Sequence, residues 1–362
     1  MSGSLLRKLP RGIRFLGEGN IITNFATVSW CNAKCVFCSY PAAKERKEVG
    51  LREGQRAIDA LQGLGVSIVS LTGGEPFLNP NLIGLVEYAN QRGMMVFTGT
   101  NGTMLDQQVA TDLAQAGVQA VWISYEGPDA ETFDANRGVP GLTEMIRRGL
   151  RQLREAGVNS YCICVINKTI ENYVGFVEHL ADLGYDKVKF DYPMTHLQSS
   201  YLGFSQWPML QFSAEEMERA IDQILDLKRD TTAGVEVLNP TQGLLAASRF
   251  WAGEPAEYPC YAGEKVLYLD WNLDLWRCTT LPEKFGKVWD VGPQQLKRID
   301  CNLCYYQGVR DYDSLYYLVS SAERGMDALT SGHAFEAAKS LLDPHNLAGL
   351  QSAIELGASG FA

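Results

Sequence analysis

Seven of the nine cysteines in this 362-residue chain fall into two clusters. The first is tight: Cys31, Cys35 and Cys38 follow the spacing C-x3-C-x2-C. Three thiolates on one short loop can ligate three irons of a cubane cluster and leave the fourth iron without a protein ligand. An open iron is what a reacting metal centre needs, because a cofactor or substrate can bind there. A zinc knuckle is the plainer alternative, but zinc sites pair two thiolates with a second pair or with histidines. The four histidines, His179, His196, His333 and His345, all lie far from the loop in sequence.

The second cluster is Cys260, Cys278, Cys301 and Cys304, spaced C-x17-C-x22-C-x2-C. Four thiolates suit either zinc or a fully ligated iron–sulfur cluster, and spacing alone leaves both open. The last two cysteines, Cys162 and Cys164, stand two apart on a strand-like run and so share a face. A buried free cysteine behaves as a small hydrophobe, so both are expected to pack against outer helices.

Positioning these groups falls to an alternation of apolar, β-branched runs with amphipathic stretches. The expected strands are Thr23–Trp30, Ser67–Thr72, Met95–Thr98, Ala120–Tyr125, Ser160–Ile166 and Lys187–Asp191. The expected helices are Glu53–Leu64, Leu82–Arg92, Gln108–Ala116, Leu142–Ala156 and Glu171–Leu183, and each is followed by a glycine suited to a left-handed cap. Repeats of this length imply parallel strands with right-handed crossovers, and hence a (β/α)6 partial TIM barrel with its chemistry at the carboxyl ends of the strands. Ser213 with Glu216 forms a capping-box signature for a helix running to about Lys228. The expected organisation is a leader over 1–23, the barrel over 24–205, a helical connection over 206–256, a small β-rich cysteine-bearing domain over 257–313 and a helical tail over 314–362.

The loop Trp30-Cys31-Asn32-Ala33-Lys34-Cys35-Val36-Phe37-Cys38 resembles the C-x3-C-x-aromatic-C signature of the radical S-adenosylmethionine (SAM) superfamily, with Phe37 in the aromatic slot. Thr72-Gly73-Gly74-Glu75-Pro76, directly after the second strand, matches the family's second motif. The resemblance implies a 4Fe–4S cluster on Cys31, Cys35 and Cys38 that binds SAM. It also implies that Gly73, Gly74 and Glu75 present acceptors to the amino group of its methionine moiety, the glycines allowing close backbone approach. Further cofactor contacts implied at Asn101, Ser124, Glu126, Arg137 and Asn167 include Ser124 for the ribose and Arg137 for the methionine carboxylate. The second cluster resembles the auxiliary domain called Twitch when it holds one cluster and SPASM when it holds two; four cysteines fit one. That family usually has Gly five residues before the second cysteine, where this chain has Leu273, so the hairpin turn is expected to use Asn272 for its tight backbone.

A net charge of −10 and a pI near 5.0 argue against a nucleic-acid binder. No run of about 18 apolar residues suggests a transmembrane segment, and the leader's Arg7, Lys8, Arg11 and Arg14 lie in a stretch broken by Pro10 and Gly12. A cytoplasmic, reducing location is expected. The implied activity is reductive cleavage of SAM to a 5′-deoxyadenosyl radical that abstracts hydrogen from an unactivated carbon of a small-molecule substrate, with net oxidation or epimerisation. A flavodoxin- or ferredoxin-type reductant would supply the electron. Crosslinking or epimerisation of a peptide is the alternative substrate class, and a non-catalytic iron–sulfur carrier the alternative from another class; carriers close their clusters with four cysteines, whereas the first loop supplies three.

Overall fold

Residues alternate along each barrel strand between two surroundings, as a period of two requires. Along β5 (Ser160–Val165), Cys162 and Cys164 are wholly buried among the outer helices, while Tyr161, Ile163 and Val165 line an interior cavity. The two cysteines thus take the packing role expected of them. Along β6 (Lys187–Asp191), Val188 and Phe190 face the outer core, and Lys189 and Asp191 face the cavity.

The computed structural model describes residues 21–42, 45–194, 207–230 and 234–358. The basic leader residues Arg7, Lys8, Arg11 and Arg14 lie outside these, as does His196. The barrel continues as β1 (Ile21–Val28), α1 (Leu51–Gly63), β2 (Val66–Gly73), α2 (Leu82–Gln91), β3 (Met95–Thr100), α3 (Gln107–Ala116), β4 (Ala120–Ser124), α4 (Ala130–Arg137), α5 (Leu142–Glu155), β5, α6 (Tyr173–Leu183) and β6. All six strands are parallel neighbours in sequence order, which is the partial TIM barrel expected. Helix α4 was not anticipated. It is eight residues long and buries only Phe133 and Arg137, so it has no apolar stripe to read. Asp129 caps its start by accepting the Thr132 N–H at 2.8 Å, and Gly138 ends it at φ 64°.

Beyond the barrel come α7 (Ala214–Arg229), β7 (Glu236–Val237), α8 (Thr241–Trp251), β8 (Val266–Leu269), β9 (Asp274–Trp276) and β10 (Lys284–Lys287). The expected capping box opens α7: Ser213 N–H donates to Glu216 at 2.8 Å, and Glu216 N–H donates to the Ser213 hydroxyl at 3.2 Å. The sheet does not stop where the cysteine-bearing region begins. β8 pairs in parallel with the outer edge of β1, Leu269 opposite Phe25, and continues into the antiparallel β8–β9–β10 meander. The ten described strands therefore form one sheet, β10-β9-β8-β1-β2-β3-β4-β5-β6-β7. The tail is α9 (Gln307–Arg310), α10 (Asp313–Thr330), α11 (Ala334–Leu341) and α12 (His345–Ala358). Among the described residues no helix is long and apolar enough to cross a membrane.

The hairpin turn between β8 and β9 departs from expectation. Its tight position is Leu273 itself, at φ 64° and buried, rather than Asn272. Asp270 holds the turn: its carboxylate accepts the N–H groups of Asn272 at 2.8 Å and Asp274 at 3.0 Å, and the indole N–H of Trp276 at 2.9 Å. Those bonds keep a leucine in a conformation that glycine adopts without strain.

Candidate active site

The cysteine loop follows β1 and is fixed from three sides. Ser29 bonds both ways with the returning segment, donating to Glu45 O and accepting from Lys47 N, each at 2.8 Å. The end of α4 accepts two loop amides, Lys34 N–H on Arg137 O and Val36 N–H on Asn136 O, both at 2.9 Å. The glycine turn after β2 supplies the third side, with Gly74 N–H on Val28 O at 3.1 Å and Glu75 N–H on Trp30 O at 3.0 Å.

This contact by itself requires glycine at both positions. A Cβ on Gly74 would stand 2.0 Å from the Trp30 carbonyl oxygen, and one on Gly73, where φ is 137°, would stand 2.4 Å from Val28 O. The close approach is to the cysteine loop's own backbone. The Glu75 side chain is fully buried. It accepts Phe77 N–H at 3.2 Å, the Thr100 hydroxyl at 2.9 Å and Asn101 N–H at 2.7 Å, tying the β2 turn to the end of β3. Burial raises its carboxyl to about 7, against those hydrogen bonds.

The sulfurs meet donors. Cys31 accepts from Ala33 N–H at 3.4 Å and from the Asn101 amide at 3.5 Å, and Cys35 accepts from the Arg137 guanidinium at 3.6 Å. Burial pushes the Cys31 thiol up to about 11 and the Cys38 thiol up to about 12; it also raises Cys35, where Arg137 opposes it. Arg137 and Glu126 form a buried pair held by two guanidinium nitrogens, and the guanidinium lies over the Phe37 ring at 5.2 Å. Trp207 packs against the same ring with centroids 5.6 Å apart. Asn167 turns away from the cavity and donates to Glu126 O and Val165 O, both at 2.9 Å.

A cavity of about 540 Å³ opens beside this loop and runs down the barrel. Phe37, Cys38, Gly73, Ser124 and Arg137 wall its upper part. Thr279, Tyr306, Gln307 and Tyr312 also line it, as do Ala353 and Leu356 of α12. On the far side of Tyr306 lies a small cavity lined by Cys260, Cys278, Cys301 and Cys304 together. Burial raises the Cys260 thiol to about 12 and raises Cys278 and Cys304 as well. The Thr280 hydroxyl lies 3.3 Å from the Cys304 sulfur, and Leu281 N–H donates to the Cys278 sulfur at 3.3 Å.

Residues 26–191 match the Radical SAM superfamily. The Mycobacterium tuberculosis mycofactocin maturase MftC is 30% identical over 276 residues, which cover 76% of this chain and 67% of the relative. The chain belongs to the Radical SAM superfamily. The Fe-coproporphyrin III synthase of Methanosarcina barkeri is 32% identical over 228 residues, 62% of this chain and 55% of that protein, so the match spans little more than half of this relative. The solved structure of anSMEcpe with bound AdoMet superposes with a TM-score of 0.58 at 14% identity, covering 94% of this chain and 98% of that one, which shows a common fold.

Membership in a radical SAM family of catalysts implies a 4Fe–4S cluster and SAM and sets aside the plain electron carrier. The residues present fit that group: three thiols share one loop, and N–H groups donate to the Cys31 and Cys35 sulfurs, opposing the burial that raises both thiols. Residues not singled out from sequence also build the site. Asn79 donates to Thr27 O at 3.0 Å and Val49 O at 3.1 Å, and the Asn101 amide donates to Asn32 at 2.8 Å. Lys189, Asp191 and Tyr306 enter the cavity wall. The first two were legible as charges alternating with Val188 and Phe190 on one strand.

Proposed function

We propose that this radical SAM enzyme is an oxidoreductase acting on a small molecule held in the barrel cavity. The observation that carries the reading is a single chamber bounded on one side by the loop of Cys31, Cys35 and Cys38 and on the other by Tyr306, which also lines the pocket of the four remaining clustered cysteines. When bound on the loop, a 4Fe–4S cluster supplies the electron that cleaves SAM to methionine and a 5′-deoxyadenosyl radical. The chain's own contribution is orientation and exclusion of water. Glu75 locks the loops after β2 and β3 together, and Arg137 places a positive charge on the Cys35 side of the loop. Ser124 lines the chamber, and its hydroxyl would serve to bind the ribose of SAM. Cys260, Cys278, Cys301 and Cys304 would hold an auxiliary cluster, and four protein ligands would suit it to taking an electron rather than binding substrate. An electron acceptor one aromatic ring away from the chamber favours net oxidation.

Anaerobically reconstituted protein, given dithionite and SAM, should form 5′-deoxyadenosine, and a Cys31/Cys35/Cys38→Ala variant should form none. Wild type should carry roughly eight irons per chain and a Cys260/Cys278→Ala variant roughly four. Absence of both 5′-deoxyadenosine and any spectral response to SAM in fully loaded protein would refute the reading, and zinc in place of half the iron would refute its auxiliary part.

A further inference from the structure

Two charged residues of β6, Lys189 and Asp191, face the chamber. Lys189 is 8% exposed, and its ammonium donates to the Tyr312 hydroxyl. Among the described residues it enters no ion pair, although Asp191 and Asp311 stand near enough to favour its charge. An ammonium carries three donors, so two remain. The Asp311 carboxylate is engaged elsewhere, accepting from Tyr192 at 3.2 Å and from Asn239 and Gln307 at 2.9 Å each. Asp191 Oδ1 is buried and has no hydrogen-bond partner among the described residues. Burial, with Asp311 nearby, raises the Asp191 carboxyl to about 7.

A buried ammonium without a paired carboxylate and a buried carboxylate oxygen without a donor are both costly. They lie two residues apart on one strand, on one wall of one cavity. One ligand bearing an anionic group beside a donor would complete both. Ile163 stands opposite Lys189 in the sheet, and Trp122, Leu238 and Leu315 complete an apolar surround for the ligand's body.

We propose that Lys189 is the chamber's substrate anchor, binding the carboxylate of a small amino- or hydroxy-carboxylic acid whose N–H or O–H group donates to Asp191 Oδ1. The inference rests on the chamber being the radical's substrate site. The methionine end of SAM belongs beside the cysteine loop after β1, whereas Lys189 lies on β6, five strands along the sheet.

The test uses the reconstituted full chain and its K189M and K189R variants. Calorimetric titrations compare 3-phenylpropionate with its neutral amide, 3-phenylpropionamide, with and without saturating SAM. Wild type should bind the acid at least about tenfold more tightly than the amide. K189M should lose that preference, K189R should keep part of it, and SAM should leave it in place. Equal binding of acid and amide, binding of neither, or a preference that survives in K189M overturns the proposal. Loss of the preference when SAM is bound also overturns it and assigns Lys189 to the cofactor. A lower unfolding temperature in K189M with no change in the preference would make the lysine a structural donor to Tyr312. None of these readouts requires turnover, so failure to form 5′-deoxyadenosine would remove the proposed function and leave the carboxylate preference standing, and the converse result would remove only the anchor.

Discussion

Arg137 grips Glu126 with two guanidinium nitrogens and turns the third toward the Cys35 sulfur at 3.6 Å. Helix α4, which carries the arginine, also accepts two amides of the cysteine loop. The pair therefore joins the loop after β4 to the loop after β1, with both side chains nearly out of solvent.

Removing one partner should leave a buried charge uncompensated. Arg137→Met is expected to lower unfolding free energy by about 3–5 kcal/mol, and Arg137→Met with Glu126→Leu to recover most of that loss. Urea unfolding under anaerobic conditions measures both. The double variant should still form less 5′-deoxyadenosine than wild type, since stability is restored without the donor to Cys35. Equal losses in the single and double variants would show that the pair acts through packing alone.

Gly74→Ala should disrupt the cysteine loop specifically. The new Cβ would stand 2.0 Å from the Trp30 carbonyl oxygen, a backbone atom that cannot swing aside. Iron content and visible absorbance after reconstitution are expected to fall to less than half of wild type, while far-ultraviolet circular dichroism stays unchanged. Gly63→Ala is the control. Nothing lies within 4 Å of its added Cβ at the end of α1, and alanine there should stabilise by about 0.5–1 kcal/mol with full iron loading.

The parts of the site carried by short chain segments were legible in the sequence, and those made by long-range contact were not. Cys31, Cys35 and Cys38 share eight residues, and the strand alternation that turns Cys162 and Cys164 outward is a local property of β5. The Lys189–Tyr312 contact joins residues 123 apart, and the fit of Gly74 against Trp30 depends on two loops from different strands. Glu75 carried a motif, but whether its carboxylate meets a ligand or its own scaffold depends on where Thr100 and Asn101 fall in space. The β8–β1 pairing spans the whole barrel in sequence, so the region around Cys260 to Cys304 read as separate although its sheet is continuous.

Leu273 offers a test in which the usual order of truncation reverses. Glycine and alanine both remove its buried side chain, at about 2–5 kcal/mol for a loss of this size. Alanine keeps the Cβ that makes φ 64° unfavourable, whereas glycine relieves about 1–2 kcal/mol of strain. Leu273→Gly should therefore be more stable than Leu273→Ala despite the smaller side chain. Chemical denaturation decides it, and the opposite order would mean that the Asp270 hydrogen bonds have already removed the strain.

Asp191 should make stability depend on pH in a defined direction. Burial, then Asp311, raise its carboxyl to about 7 in the folded chain, from an ordinary value near 3.8, while Lys189 pulls the other way. A carboxyl raised on folding binds its proton more tightly in the native state. Its contribution is thus favourable at low pH and is lost as pH rises from about 4 through about 7. Asp191→Asn resembles the protonated form and does not ionise. The variant should match wild type near pH 4 and exceed it by about 1–2 kcal/mol at pH 8, allowing for partial solvent access. Unfolding curves at the two pH values measure the difference. A variant less stable than wild type at pH 8 would mean that Lys189 holds the ionised carboxylate firmly enough to outweigh its burial.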